Sequence, residues 1–205
     1  MSAQDSSAPS ARSARVARKT KETDVTVALN LDGAGEGTSD TGLPFFDHML
    51  DHVRKHGLMD LSVEAKGDLQ IDEHHTVEDV AIVLAQALTE ALGDKRGIRR
   101  FGHARVPMDE ALADVTVDLS GRAHFVWQAR FPQGFRVGET NGAIFKHFFE
   151  TLASRAAMNL HVLVPYGENT HHILEGIFKA FGRALDEATA RDARRGDVPS
   201  TKGVL

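Results

Sequence analysis

The chain contains no cysteine. Disulfides, thiolate zinc sites, iron–sulfur clusters and cysteine nucleophiles are excluded together. A reducing compartment fits that absence, and the expected location is the cytoplasm. No run of 18 apolar residues occurs, so no helix is expected to span a membrane. The opening stretch MSAQDSSAPSARSARVARK lacks the apolar segment of a secretory signal. Positive charge is not in excess: 24 Lys+Arg against 29 Asp+Glu give a net charge of −5. A mildly acidic chain is a poor general binder of nucleic acid. Neither nucleic acid nor membrane is therefore an expected partner.

The 205 residues are 41% apolar and 26% charged, ordinary for a globular protein and too apolar for disorder throughout. One domain of this length buries a real core, as do two small halves that share one. Histidine stands out: 11 residues, roughly twice the usual share for this length. Several of them are paired.

Residues 1–18 are Ser, Ala and Arg with little that is large and apolar, and they read as a disordered leader before a single domain over 19–205. From Val25 the pattern alternates as a strand, with Val25, Val27, Leu29 and Leu31 on one face. Pro44 suits the first turn of a helix whose stripe is Phe45, Phe46, Met49, Leu50 and Val53, with Gly57 as its stop. Leu61, Val63 and Ala65 alternate again, and Leu69-Gln70-Ile71 reads as a returning strand. A long helix is predicted from about His74 to Leu92, stopped by Gly93.

The same order then recurs. Val115 to Gly121 repeats the character of Val27 to Gly33, and His147 and Met158 are spaced 11 apart, as are His48 and Met59. His171-His172-Ile173-Leu174-Glu175 repeats His74-His75-Thr76-Val77-Glu78, 13 and 15 residues after those methionines. Four matches in one order predict two homologous halves, about 22–95 and 111–190, joined by a linker over 94–110.

With Asp72 and Asn169 as caps, His74 and Glu78 lie four apart, about 40° around a helix, and share a face. His171 and Glu175 share the same spacing. Adjacent histidines diverge by about 100°, so His75 and His172 serve a different ion from their neighbours. His48 and His147 hold equivalent places on the shorter helices. Two sites of three His and one Glu account for all eight residues, each drawing on both halves or on two subunits. Nitrogen and oxygen donors without sulfur suit Mn²⁺, Fe²⁺, Co²⁺, Ni²⁺ or Zn²⁺ and leave room for water or substrate. His52, His56, His103, His124 and His161 do not repeat; His52 sits one turn beyond His48 on the same face, in reach of a supporting contact. The basic run Lys95 to Arg100, Arg122, Lys179 and the Ser200-Thr201-Lys202-Gly203 segment offer what a phosphomonoester needs, charge and many donors.

The segments Asp47-His48-Met49-Leu50-Asp51-His52, His74-His75-Thr76-Val77-Glu78-Asp79, Gly93 to Gly102, Pro107-Met108-Asp109-Glu110, His171 to Glu175 and Ser200 to Gly203 closely resemble imidazoleglycerol-phosphate dehydratases of histidine biosynthesis. The likeness runs from about Arg18 to Leu205. It implies an α+β fold of two duplicated half-domains, each a four-stranded sheet with two helices, of the ribosomal-protein-S5-domain-2 type. It implies a lyase that dehydrates imidazole glycerol phosphate to imidazole acetol phosphate, with two Mn²⁺ per active site. It implies a 24-subunit cage with active sites between subunits. The metal ligands map onto His48, His74, His75, Glu78, His147, His171, His172 and Glu175. Phosphate binding maps onto Arg99, Arg122, Lys179, Ser200 and Lys202, and a substrate-contacting acid onto Glu22. Glu22 and Glu175 are the acid/base candidates. A dinuclear metal phosphoesterase and a metal-storing cage are the competing readings.

Overall fold

The structure is a computed structural model and describes residues 12–131, 136–137 and 140–205. In the first half, β1 (Ser13–Lys19) and β2 (Thr23–Asn30) form an antiparallel hairpin, followed by β3 (Ser39–Asp40), α1 (Pro44–Gly57), β4 (Asp60–Gly67) and α2 (His74–Leu92). Alternation builds the sheet: β2 buries Val25, Val27 and Leu29, and β4 buries Leu61, Val63 and Ala65. The two strands are antiparallel, with Val27 opposite Val63. The sheet order is β1-β2-β4-β3, and β3 runs parallel to β4.

The second half repeats this plan. It has β5 (Phe101–Met108), β6 (Ala111–Asp118), β7 (His124–Gln128), a small β8 (Arg136–Val137) and β9 (Thr140–Asn141) pair, α3 (Ala143–Arg155), β10 (Asn159–Tyr166) and α4 (Thr170–Thr189). Its sheet order is β5-β6-β10-β7, again with only the last pair parallel. The architecture is α+β, two duplicated half-domains of one four-stranded sheet and two helices each.

The long helix of each half covers its own sheet: α2 lies on β1 and β2, and α4 on β5 and β6. The short helices are exchanged. Helix α1 packs along α4, and α3 along α2. The seam is aromatic, with Phe46, Phe145, Phe148, Phe149, Phe178 and Phe181 all buried. Each such side chain contributes about 1.5–3 kcal/mol on leaving water. This exchange brings residues of one half beside residues of the other.

Four expectations change. Of the leader, Ser13–Lys19 is strand β1 rather than disordered, and residues 1–11 lie outside the described residues. Only Val16 of that strand is buried, so no apolar alternation announced it. The linker over 94–110 contains β5, whose inward residues Gly102 and Ala104 are too small to read as a strand face. Both halves therefore begin one strand earlier than 22 and 111. The return over 69–71 is a turn closed by the Ile71 N–H on the Asp68 carbonyl, and β3 fills the sheet's fourth place. At the end of α1 it is Leu58, at φ 51°, that turns the chain out. Gly57 serves another purpose: a Cβ there would stand 2.9 Å from the Gly182 carbonyl oxygen, at the α1–α4 crossing.

Candidate metal centre

Both long helices start where the sequence placed them. Asn169 caps α4 by accepting the His171 N–H at 2.9 Å, and Asp72 accepts the His74 N–H at 2.8 Å. Asn169 is the cap expected, whereas the cap position of α2 is Glu73, without a side-chain hydrogen bond, and Asp72 holds the chain one residue before it. Both first turns carry the paired histidines.

The exchange of short helices then assembles two clusters. In the first, His48 from α1 meets His171 and Glu175 from α4, with donor atoms all within 4.8 Å of one another. Glu175 Oε2 lies 3.1 Å from His171 Nε2 and 3.4 Å from His48 Nε2. In the second, His147 from α3 meets His74 and Glu78 from α2, again within 4.8 Å. The rings of His74 and His147 are stacked at 4.7 Å, and His147 Nε2 lies 3.4 Å from Glu78 Oε1. Each cluster is thus two imidazoles and a carboxylate taken from both halves.

His52 joins the first cluster, its Nε2 3.4 Å from Glu175 Oε2 and 3.2 Å from His48 Nε2. Its position one turn past His48 was the signal. Burial drives its pKa down to about 4, so it is a neutral imidazole. Glu175 is buried, which opposes ionisation, but a hydrogen bond from Lys179 leads the groups that outweigh that, one from His171 among them, and hold its pKa at about 2. The Lys179 ammonium donates to Glu175 Oε1 at 2.6 Å.

His75 and His172 stay out of both clusters. His75 Nδ1 donates to Asp68 at 3.0 Å, with Glu22 Oε2 at 4.0 Å. His172 Nδ1 donates to Glu110 Oε2 at 2.6 Å. These carboxylates raise the pKa of both rings, Asp68 for His75 and Glu110 for His172. Glu110 itself is held at about 2, chiefly by the Asn169 N–H and then by His172. Asp68 and Glu110 were not singled out in advance as partners of these rings, because an acid in a loop looks like any solvated one. Duplication is the one signal that bears on Glu110, which immediately precedes β6 as Glu22 immediately precedes β2.

Apart from Lys179, which donates to Glu175, the basic groups stand elsewhere. Arg100 donates to the Pro199 carbonyl, and a Cβ on Gly121 would meet the Leu205 backbone at 2.5 Å. The C-terminal segment with Ser200 and Lys202 therefore lies along the turn that carries Arg122. Arg99 makes only a 3.9 Å ion pair with Glu187. Among the described residues, none of Arg99, Arg122, Ser200 and Lys202 bonds to a histidine of either cluster.

The donor sets fit a divalent cation. Both are nitrogen and oxygen only, which suits Mn²⁺ and its neighbours. His147 Nε2 is buried without a hydrogen bond, although a carboxylate oxygen lies 3.4 Å away. A buried imidazole nitrogen is costly in that state unless something accepts its lone pair.

Comparison with known proteins gives the family and the fold. The profile of the imidazoleglycerol-phosphate dehydratase family matches residues 41–185. The imidazoleglycerol-phosphate dehydratase of Geobacillus kaustophilus is 55% identical over 195 residues, covering 95% of this chain and all of its own. That of Bacillus subtilis is 55% identical over 194 residues, with the same coverage of both chains. The crystal structure from Pyrococcus furiosus superposes with a TM-score of 0.80 at 35% identity, over 93% of this chain and 100% of that one. The structure from Staphylococcus aureus gives 0.78 at 34% identity, over 87% and 98%. Fold and sequence together define a lyase that removes water. The chain belongs to the imidazoleglycerol-phosphate dehydratase family of histidine biosynthesis.

Proposed function

We propose that the chain carries out the Mn²⁺-dependent dehydration of imidazole glycerol phosphate to imidazole acetol phosphate. The observation that carries this reading is the pair of matched His–His–Glu clusters, each built across the two halves. His48, His171 and Glu175 hold one ion, and His74, His147 and Glu78 the other. His75 and His172, turned away from both, complete the sites of neighbouring copies. Such sharing is the reason to expect active sites between subunits, in a cage of 24 copies. No helix of the described residues is long and apolar enough to cross a membrane, and a cytoplasmic location suits the reading.

The reaction breaks a C–O bond and a C–H bond of low acidity, with no carbonyl beside it. Two ions would supply the charge that favours the deprotonated, electron-rich form of the substrate ring. The chain's own residues do the rest. Of the two acids expected to move protons, Glu175 is committed to Lys179 and the histidines and stays ionised. Glu22 is exposed, 4.0 Å from His75, and beyond hydrogen-bond reach of it. It takes the carbon-bound proton and later returns it to solvent, the hydroxyl leaves its carbon and takes up a solvent proton to depart as water, and the enol then tautomerises to the ketone. Arg99, Arg122, Lys179, Ser200 and Lys202 bind the phosphate, whose remote binding energy holds the reacting carbons in place.

Incubation with imidazole glycerol phosphate and Mn²⁺ tests this. A keto product that retains its phosphate supports dehydration. Release of inorganic phosphate supports the dinuclear phosphoesterase instead, and no turnover at all leaves a metal-storing cage.

A further inference from the structure

Each long helix opens with two histidines, and only the first of each pair enters a cluster. The second is gripped from behind. Asp68 accepts from His75 Nδ1 at 3.0 Å, and Glu110 accepts from His172 Nδ1 at 2.6 Å. Glu110 is itself anchored, its other oxygen accepting the N–H groups of Glu168 at 3.1 Å and Asn169 at 2.7 Å. The exposed Asp109 carboxylate lies 3.7 Å from His172 Nε2, too far for a hydrogen bond.

The two carboxylates do the same work from different places. Asp68 follows β4, nine residues after Met59. The residue nine after Met158 is Gly167. A Cβ there would come within 2.7 Å of Ile173 Cγ1 and 3.0 Å of Ala111 Cβ, so the second half has no room for an acid at that point. The hairpin turn supplies one instead. Glu110 immediately precedes the first residue of β6, as Glu22 immediately precedes that of β2.

We propose that Asp68 and Glu110 are positioning residues that hold the Nδ1–H of His75 and His172, fixing each tautomer and presenting Nε2 to a divalent cation. An imidazole held this way is a better and more rigid ligand. The division of labour explains why the halves are chemically unequal. Asp68 releases Glu22 for proton transfer beside His75, whereas its counterpart Glu110 is spent on holding His172.

The proposal rests on the metal reading, and one experiment separates the two. Mn²⁺ affinity of the full chain is measured by competition with a chelator. Asp68→Ala and Glu110→Ala are each expected to weaken binding about 10–100-fold. Asp68→Asn and Glu110→Gln keep an acceptor oxygen and much of the shape, and are expected to lose only about threefold. In a His172→Ala background Glu110→Ala should add less than about twofold, because the ring it holds is gone. The same holds for Asp68→Ala with His75→Ala. Unchanged affinity in both alanine variants, or an equal loss with and without the histidine, overturns the proposal. A wild-type chain that binds no Mn²⁺ overturns the metal reading with it.

Discussion

At the scale of single residues, the account turns on how the cluster nitrogens are partnered. His147 Nε2 is the sharpest case, buried and without a hydrogen bond beside Glu78. Its removal is expected to empty one cluster and spare the other, since His48, His171 and Glu175 share no donor with it. His147→Ala should therefore lower bound Mn²⁺ from about two to about one per chain, and kcat by at least about 100-fold. Metal analysis of the purified variant beside its kinetics checks both. Six of the eight ligand candidates come together: His74 with Glu78 and His171 with Glu175 because i and i+4 positions share a face, and His48 and His147 because the short helices are exchanged. The partners of the remaining two were not legible. Asp68 and Glu110 reach His75 and His172 from loops, and helical periodicity says nothing of what a loop brings near.

At the scale of elements, the crossing of α1 over α4 sets the first cluster. Gly57 and Gly182 allow it: a Cβ on Gly182 would stand 2.7 Å from the Val53 carbonyl oxygen. Gly182→Ala should push the helices apart, cost about 1–3 kcal/mol in chemical unfolding, and weaken Mn²⁺ binding by moving His48 off Glu175. Equal stability and affinity would place the crossing elsewhere. The N-terminal hairpin is fastened differently. Arg12 is buried, with its Nε donating to Asp32 at 2.9 Å and another guanidinium nitrogen donating to the Thr189 carbonyl. That hydrogen bond holds the Asp32 pKa below its usual 3.8. A depressed carboxyl stabilises the fold above its unfolded pKa and stops doing so as pH falls through the folded one. Stability should thus drop as pH falls through and below the ordinary carboxylate range, and Asp32→Asn should flatten the part of that drop due to this pair. Denaturant melts across that range measure it. The strands around this pair show where pattern reading ends. Strands β2, β4 and β6 alternate apolar residues and were plain, whereas β1 buries Val16 alone and β5 turns Gly102 and Ala104 inward. A strand lined by small or polar residues leaves no period to see.

At the scale of the whole molecule, duplication and exchange build two matched clusters, each from both halves, and in the proposed function the outward histidines reach neighbouring copies. If ions bridge copies, their removal loosens the assembly. Chelation should shift the particle to smaller species in light scattering, and Mn²⁺ should restore it; an unchanged particle would show that protein contacts alone hold it. The central claim, that bound divalent ions make the dehydration possible, is tested most directly by titrating Mn²⁺ into metal-free protein while following the keto product. Turnover should be absent without metal and rise to a plateau at about two ions per chain. Full turnover in a sample shown to contain no metal would contradict it.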